Sequence, residues 1–401
     1  IQSVTKGASP GGNDLVAPVV YDAFGREQFK YLPYVSQGNG SGTFKTDAFA
    51  EQVRFFQNGS LMPGTAGENV FYSRIDYEAS PLSRILRSYA PGAAWAKNDP
   101  ATTERGGNHP QETQYLINTQ ADSVQQWNLA ADVIIPVSNG SYANGTLIKT
   151  VTIDEARNSV IEYKDKDGKV MLKKVQLSGN PGSAHVGWLC TYYVYDDLGN
   201  LRFVLSPKAV AAIMNNWVIT PVVAKELCFI YRYDSRNRMI IKKVPGADST
   251  EMVYDIRDRL VYSRDGNMKL KNNWLVTYYD ALNRAVMTAL YNSDIARHAL
   301  QTATDQVTSD PATPAIIADL LVDSYDGRAQ YQASNSIIFK PGFNSNGGSF
   351  IAEIVPEIPG GGPTNINNPI PDLPVHLLTP LTYSYYDHYD YAGNQSYETK
   401  D

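Results

Sequence analysis

At 401 residues the chain exceeds what one ordinary hydrophobic core organises, so several modules or a repeat array are expected. A net charge of −6 argues against nucleic acid and anionic membrane surfaces, and no apolar run approaches the ~20 residues of a membrane span. Tyrosine is abundant, 27 against 12 Phe and 5 Trp, which suits a sheet with one drier and one wetter face.

In chain order, residues 1–17 are rich in Gly, Ser and Pro and read as a lead-in segment. Residues 18–34 read as a first hairpin, and 18–185 as an N-terminal β-rich domain. Thr46 to Phe56 has helical spacing, with Phe49, Val53 and Phe56 on one face and Asn58-Gly59 as a stop. Ser80-Pro81 to Leu86 predicts another short helix, closed by Pro91-Gly92, and 98–112 is a long polar loop. Strands are expected again from about 123, including 133–135 and 147–151. A hairpin over 159–176 turns at Asp165-Lys166-Asp167-Gly168. A repeat array is assigned to 186–345. Within it Ser206-Pro207 starts an inserted helix, with Ser as N-cap and Pro in the first turn. Thr313-Pro314 caps a predicted helix through Ile316 and Leu321. Residues 346–380, with Gly360-Gly361-Gly362 and many prolines, read as a linker or surface loop, and 381–401 as the start of a further repeat.

The repeat is a Tyr-Asp dipeptide with Gly, Asn or Asp three residues after the Asp, and usually Arg next. Its copies are Tyr21-Asp22…Gly25-Arg26, Tyr195-Asp196…Gly199, Tyr233-Asp234…Asn237-Arg238, Tyr254-Asp255…Asp258-Arg259 and Tyr279-Asp280…Asn283-Arg284. Shorter echoes stand at Tyr325-Asp326, Tyr386-Asp387 and Tyr389-Asp390. Asp suits the first position of a type I turn because its carboxylate accepts from backbone N–H groups two residues on. Gly, Asn and Asp tolerate a left-handed backbone at the fourth. Tyr enters from a strand. Each copy is therefore a hairpin, and the residue after the turn is expected to keep the tip soluble. A single hairpin cannot bury its apolar face alone, so neighbours must stack. Cys190 and Cys228 each precede a repeat Tyr by five residues. They are either two small buried residues in equivalent slots or a disulfide.

This series resembles the YD repeats of RHS (rearrangement hot spot) proteins. Phe29 to Tyr34, Glu78 to Arg84, Ala90 to Trp95 and Ile161 to Val170 resemble, in order, the domain that opens many RHS-type proteins of Bacteroidota. The resemblance covers roughly residues 18–290. It implies a mainly β fold with a few short inserted helices, in which stacked hairpins form a spiralling, shell-like sheet around or beside a C-terminal segment, often a toxin. The chain has no RHS core motif with its cleavage site and no toxin-like domain, and both ends are expected to be cuts in a longer polypeptide.

Candidate chemistry is sparse. The repeat Asp residues are explained by turn capping. Asp165-Lys166-Asp167-Gly168 lacks the Glu that a calcium loop needs at its twelfth position, where Gln176 stands. His109, His185, His298, His376 and His388 form no metal-ligand pair, and no Gly-x-Ser-x-Gly elbow occurs. A non-enzyme is expected, with no catalytic residue, cofactor or metal. The function expected is structural: part of a large exported or cell-surface protein, building a shell that encapsulates or displays a C-terminal segment. Its partner is the rest of its own polypeptide. The alternative is an adhesin or a component docked on an outer-membrane secretion or gliding complex, and the third is a glycan-binding or glycan-acting protein.

Overall fold

A computed structural model describes residues 1–38, 40–65, 68–98, 107–130, 133–280, 282–307, 319–325, 330–333, 335–354, 371 and 373–386. The chain is mainly β, built of antiparallel hairpins with a few short helices. It divides into two compact units: Ile1–Val194 with Leu205–Ile219, and Tyr195–Val204 with Thr220–Asp401.

The first unit opens with paired strands, Gln2–Thr5 against Leu15–Val20, where a lead-in segment was expected. The buried carboxylate of Asp14 is the cause. It accepts from the amides of Gly7 (3.0 Å) and Gly42 (2.9 Å) and from Lys45 Nζ (2.9 Å), tying this Gly-rich stretch down. The predicted helix is found at Ala48–Gln57, but its buried residues are Ala48, Gln52 and Phe56, while Phe49 and Val53 are exposed. A polar residue sets that face. Gln52 donates to the carbonyls of Leu32 (2.5 Å) and Phe71 (3.3 Å).

Ser80 to Leu86 is not a helix. Residues 78–84 form a turn leading into the strand Ile85–Tyr89, because Glu78 captures Arg84 with both carboxylate oxygens. Residues 133–135 are not a strand either; Val137–Ser141 is, paired with Gln125–Asn128. Strands Gln111–Ile117, Ile148–Ile153, Ser159–Lys164, Val170–Gln176 and Trp188–Tyr195 pair in succession, Gln111–Ile117 with Ile148–Ile153 and each following strand with the one before it. The alternation of Trp188–Tyr195 buries Cys190, Tyr192 and Val194 on one face.

In the second unit, Cys228–Tyr233, Met239–Lys243, Thr250–Tyr254, Leu260–Arg264, Asn273–Tyr279 and Ala285–Asn292 pair in chain order. The strand Leu378–Tyr383 then pairs with Ala285–Asn292. The core gathers Val253, Val261, Tyr262, Trp274, Val276 and Tyr278. In the first unit, Ser206 caps the inserted helix Pro207–Ile213, accepting from the amide of Ala209. Most of the helix predicted from Thr313 lies outside the described residues. Leu321, assigned to it, sits in the strand Asp319–Val322, which pairs in parallel with Ser336–Phe339. Residues 355–370 and the Asp-containing ends of the echoes at 326, 387 and 389–390 also lie outside the described residues. Cys190 and Cys228 are both buried, as free thiols. Burial pushes their thiols up to about 11 and about 12.

Candidate functional site

The repeat turns share one geometry. At Asp255 the backbone N–H donates to the Arg259 carbonyl (3.0 Å) and the Asp258 N–H to the Asp255 carbonyl (3.1 Å). The carboxylate then accepts from the amides of Arg257 and Arg259, both at 2.9 Å. Its second oxygen takes Arg259 Nε at 2.7 Å. Asp22, Asp234 and Asp280 repeat this set with Arg26, Arg238 and Arg284. Asp196 does so with Asn200. This is a three-residue hairpin loop, a type I turn closed by a residue in the left-handed region. That residue is Gly25 (φ 75°), Gly199 (83°), Asn237 (59°), Asp258 (63°) or Asn283 (64°). Asn237→Val is expected to cost about 1–2 kcal/mol, since a β-branched side chain is penalised at positive φ. A urea midpoint equal to that of the parent chain would contradict this.

Arg after the turn does more than solubilise the tip. Arg259 is only 8% exposed, because its guanidinium reaches the next turn. It stands 4.9 Å over the Tyr279 ring and donates to the carbonyl of Asp280 (3.4 Å) and to Asn283 Oδ1 (3.1 Å). Tyr279 replies: its hydroxyl donates to the carbonyl of Leu260, the residue after Arg259, at 2.9 Å. Arg238 and Tyr254 make the same exchange one turn earlier, at 5.0 Å for the ring and 2.8 Å from Tyr254 to the Met239 carbonyl. One turn later Arg284 lies 4.5 Å over Tyr386, which donates to the Ala285 carbonyl at 2.9 Å. Tyr386 therefore takes the ladder position after a long excursion of the chain. Asn200, lacking a guanidinium, reaches the next turn through its side-chain amide, which donates to Asn237 Oδ1 at 3.2 Å.

The first unit holds members that depart from the Tyr-Asp pattern. Tyr77-Glu78 is one. Arg26 stands 4.6 Å over Tyr77, and Arg84 stands 4.3 Å over Tyr115. Glu replaces Asp there, and a longer turn fits its extra methylene. Bonds from Arg84 and Ser80 hold the Glu78 carboxyl down to about 2. Asp154, with Arg157 at φ 69°, and Asp165, with Gly168 at φ 81°, form the same turn without a preceding Tyr.

One further buried polar cluster lies in the first unit. Asp122, 1% exposed, accepts from Lys149 Nζ (2.6 Å), the Tyr163 hydroxyl (2.8 Å) and the amide of Thr119 (2.7 Å). Beside it Lys174, fully buried, donates to the carbonyls of Ala184 (2.7 Å), Ser183 (2.8 Å) and Asp122 (3.3 Å). Burial lowers Lys174 to about 8 and His185 to about 4, and His185 Nε2 meets the Tyr192 hydroxyl at 2.8 Å. The neutral imidazole and the carbonyl acceptors make this a pin for the loop 177–187. Only the alternation around Lys174 hinted at it in the sequence. Among the described residues, no group of three His, Cys, Asp or Glu side chains is arranged to hold a metal ion, and no helix is long and apolar enough to cross a membrane.

Residues 1–108 match a family model described as DUF6443, a domain of unknown function. No curated protein matches the chain. Among solved structures, a crystal structure of TcdB2-TccC3-TEV is 14% identical, with a TM-score of 0.42 over 71% of this chain and 11% of that one. A crystal structure of TcdB2-TccC3-Cdc42 is 13% identical, with a TM-score of 0.41 over 73% of this chain and 12% of that one. The Photorhabdus luminescens Tc holotoxin pore is 14% identical, with a TM-score of 0.35 over 74% of this chain and 13% of that one. The chain thus spans only about a tenth of the length of these structures.

Proposed function

We propose that this chain is the opening domain and first repeats of a large exported RHS/YD-repeat protein. Its role is structural: it builds part of a β-shell that encapsulates or displays a C-terminal segment, such as a toxin. The observation that carries this reading is the ladder. Each Arg grips the Tyr and turn of the next hairpin, so in the second unit the repeats are joined edge to edge by contacts that any number of further copies can extend. Quasi-one-dimensional arrays of this kind grow by nearest-neighbour interfaces and curve by a small rotation per repeat. No catalytic step belongs to this role, and the partner is the remainder of the same polypeptide. Electron microscopy of the natural full-length protein is the test. A hollow particle with density inside supports the proposal; a solid globule or a flat sheet contradicts it. Cell fractionation tests export separately.

A further inference from the structure

The segment 177–187 joins the strands Val170–Gln176 and Trp188–Tyr195 and folds back over the buried face of its own hairpin. It closes on itself: the amides of Leu177 and Ser178 donate to the Gly187 carbonyl at 2.9 and 3.2 Å, and that of Gly182 to the Val186 carbonyl at 3.1 Å. Lys174 holds it from beneath through the carbonyls of Ser183 and Ala184. His185 is its only buried residue. The imidazole stacks on Tyr192 with centroids 5.9 Å apart and meets Trp217 at 4.8 Å. Trp217 holds φ 56°, costly for a bulky side chain, and its ring also meets Tyr192 and Trp127. The segment is a strap fastened by one lysine and one histidine.

The histidine fastening works only while the ring is neutral. Tyr192 Oη accepts from the amide of Gln125 at 2.8 Å and stands 2.8 Å from His185 Nε2. A buried hydroxyl proton left without an acceptor is costly, so Tyr192 donates to Nε2 and the ring proton sits on Nδ1. A proton added at Nε2 would put two hydrogens face to face between the ring and the hydroxyl. The groups facing His185 do nothing to welcome it. Lys174, from Val170–Gln176, is a like charge, and Tyr192, from Trp188–Tyr195, is a neutral phenol. Cys190, paired across the strands with Lys174, is a neutral thiol. Trp127 and Trp217, from the strand Gln125–Asn128 and beyond the helix Pro207–Ile213, do not titrate. Asp122, beside Lys174, is already taken by Lys149 and Tyr163. Burial, with Lys174 adding to it, holds His185 down to about 4.

We propose that 177–187 is an acid-released strap: protonation of His185 drives its ring out from between Tyr192 and Trp217 and frees the segment, uncovering Lys174 and Tyr192. The device is local to the first unit and independent of the shell role. A histidine depressed in the closed state leaves the strap fully stable above its ordinary value, about 6.5. The strap then weakens as pH falls toward about 4, where the effect levels off. Lys174 titrates above this window, and the depressed carboxylates below it.

The test is hydrogen exchange of the 401-residue chain, corrected for the pH dependence of the intrinsic rate and read at the amides of Leu177, Ser178 and Gly182. Between about pH 7.5 and about pH 5 the opening constant of the parent strap should rise about thirtyfold, as a shift from about 6.5 to about 4 requires. His185→Gln offers a side-chain carbonyl to the Tyr192 hydroxyl and cannot take up a proton. Its strap should change by less than about threefold. Unchanged protection in the parent overturns the proposal, and so does a loss as large in His185→Gln. A loss shared equally by the strand Ser159–Lys164 would be unfolding of the whole unit, and overturns it too. If His185→Gln does not fold, carbon NMR titration of the imidazoles in the parent decides. One of the five histidines should then titrate far below the others, whereas five curves near about 6.5 would refute the strap.

Discussion

Replacing Arg259 by Met is expected to destabilise the second unit by about 3–5 kcal/mol, the cost of leaving one member of a buried ion pair behind. Asp255 is fully buried and Arg259 nearly so, at 2.7 Å from each other. The Met side chain would leave Asp255 Oδ2 without its charged partner and Asn283 Oδ1 without the guanidinium that donates to it. It would also uncover one face of Tyr279. The equivalent change at Arg26 should cost about 1 kcal/mol or less, because that pair sits nearer solvent, with side-chain exposures of 24% and 18%, where charges are screened. Hydrogen exchange over 250–292 is the appropriate readout, since a local loss in one unit need not appear in a global transition. Comparable costs at the two arginines would show that burial is not what sets the strength of the turn.

Asp122→Ala should be as damaging in the first unit, again by about 3–5 kcal/mol, since Lys149 would stay half-buried and unpaired. The hydroxyl of Tyr163 and the amide of Thr119 would also lose their acceptor. The effect carries a pH signature. Burial opposes ionisation of Asp122, but Lys149, the Thr119 amide and the Tyr163 hydroxyl together hold its carboxyl below the usual range. A carboxylate depressed in the fold contributes stability above its unfolded value, about 3.9, and loses it as pH falls through the folded one. Asp22 and Glu78, held down by their turn amides and arginines, act in the same direction. The parent chain should therefore lose stability steeply below about pH 4, and Asp122→Ala should show a shallower acid limb. Lys174 gives a slope of the same sign in another pH window. Burial lowers it to about 8, so its ammonium is costly in the fold at neutral pH, and that cost fades as pH rises from about 8 toward about 10.5. A stability profile with no slope below pH 4 would show that these carboxylates titrate alike in both states.

The turns were legible because their chemistry is local. Asp, a left-handed residue three positions on, and a strand Tyr specify the hairpin with no help from the rest of the chain, and the Ser206 cap is local in the same way. The hairpin mate of Ser159–Lys164 was legible for that reason too. What the sequence hid was between repeats. The role of Arg259 depends on Tyr279, which stands a full hairpin away, so in isolation it reads as a solubilising charge. Tyr77-Glu78 escaped because Glu78 closes a longer loop, accepting from the Arg84 amide and the Ser80 hydroxyl, and Ser80-Pro81 there imitates a helix start. The helix Ala48–Gln57 shows the same limit. Its apolar spacing points to Phe49 and Val53, yet a buried Gln52 with two carbonyl partners decides which face turns inward. The lysine pin lies on an alternating strand position that pattern alone assigns to an apolar core.

A double-mutant cycle between Arg259 and Tyr279 measures whether successive hairpins grip one another. The two residues belong to successive turns and share a ring-stacked guanidinium at 4.9 Å. Arg259→Met, Tyr279→Leu and the double variant should show a coupling energy of about 1 kcal/mol, the range of a partly desolvated cation–π contact. Additivity between Arg259 and Tyr279 would mean that the hairpins stack without gripping one another, and would contradict the ladder.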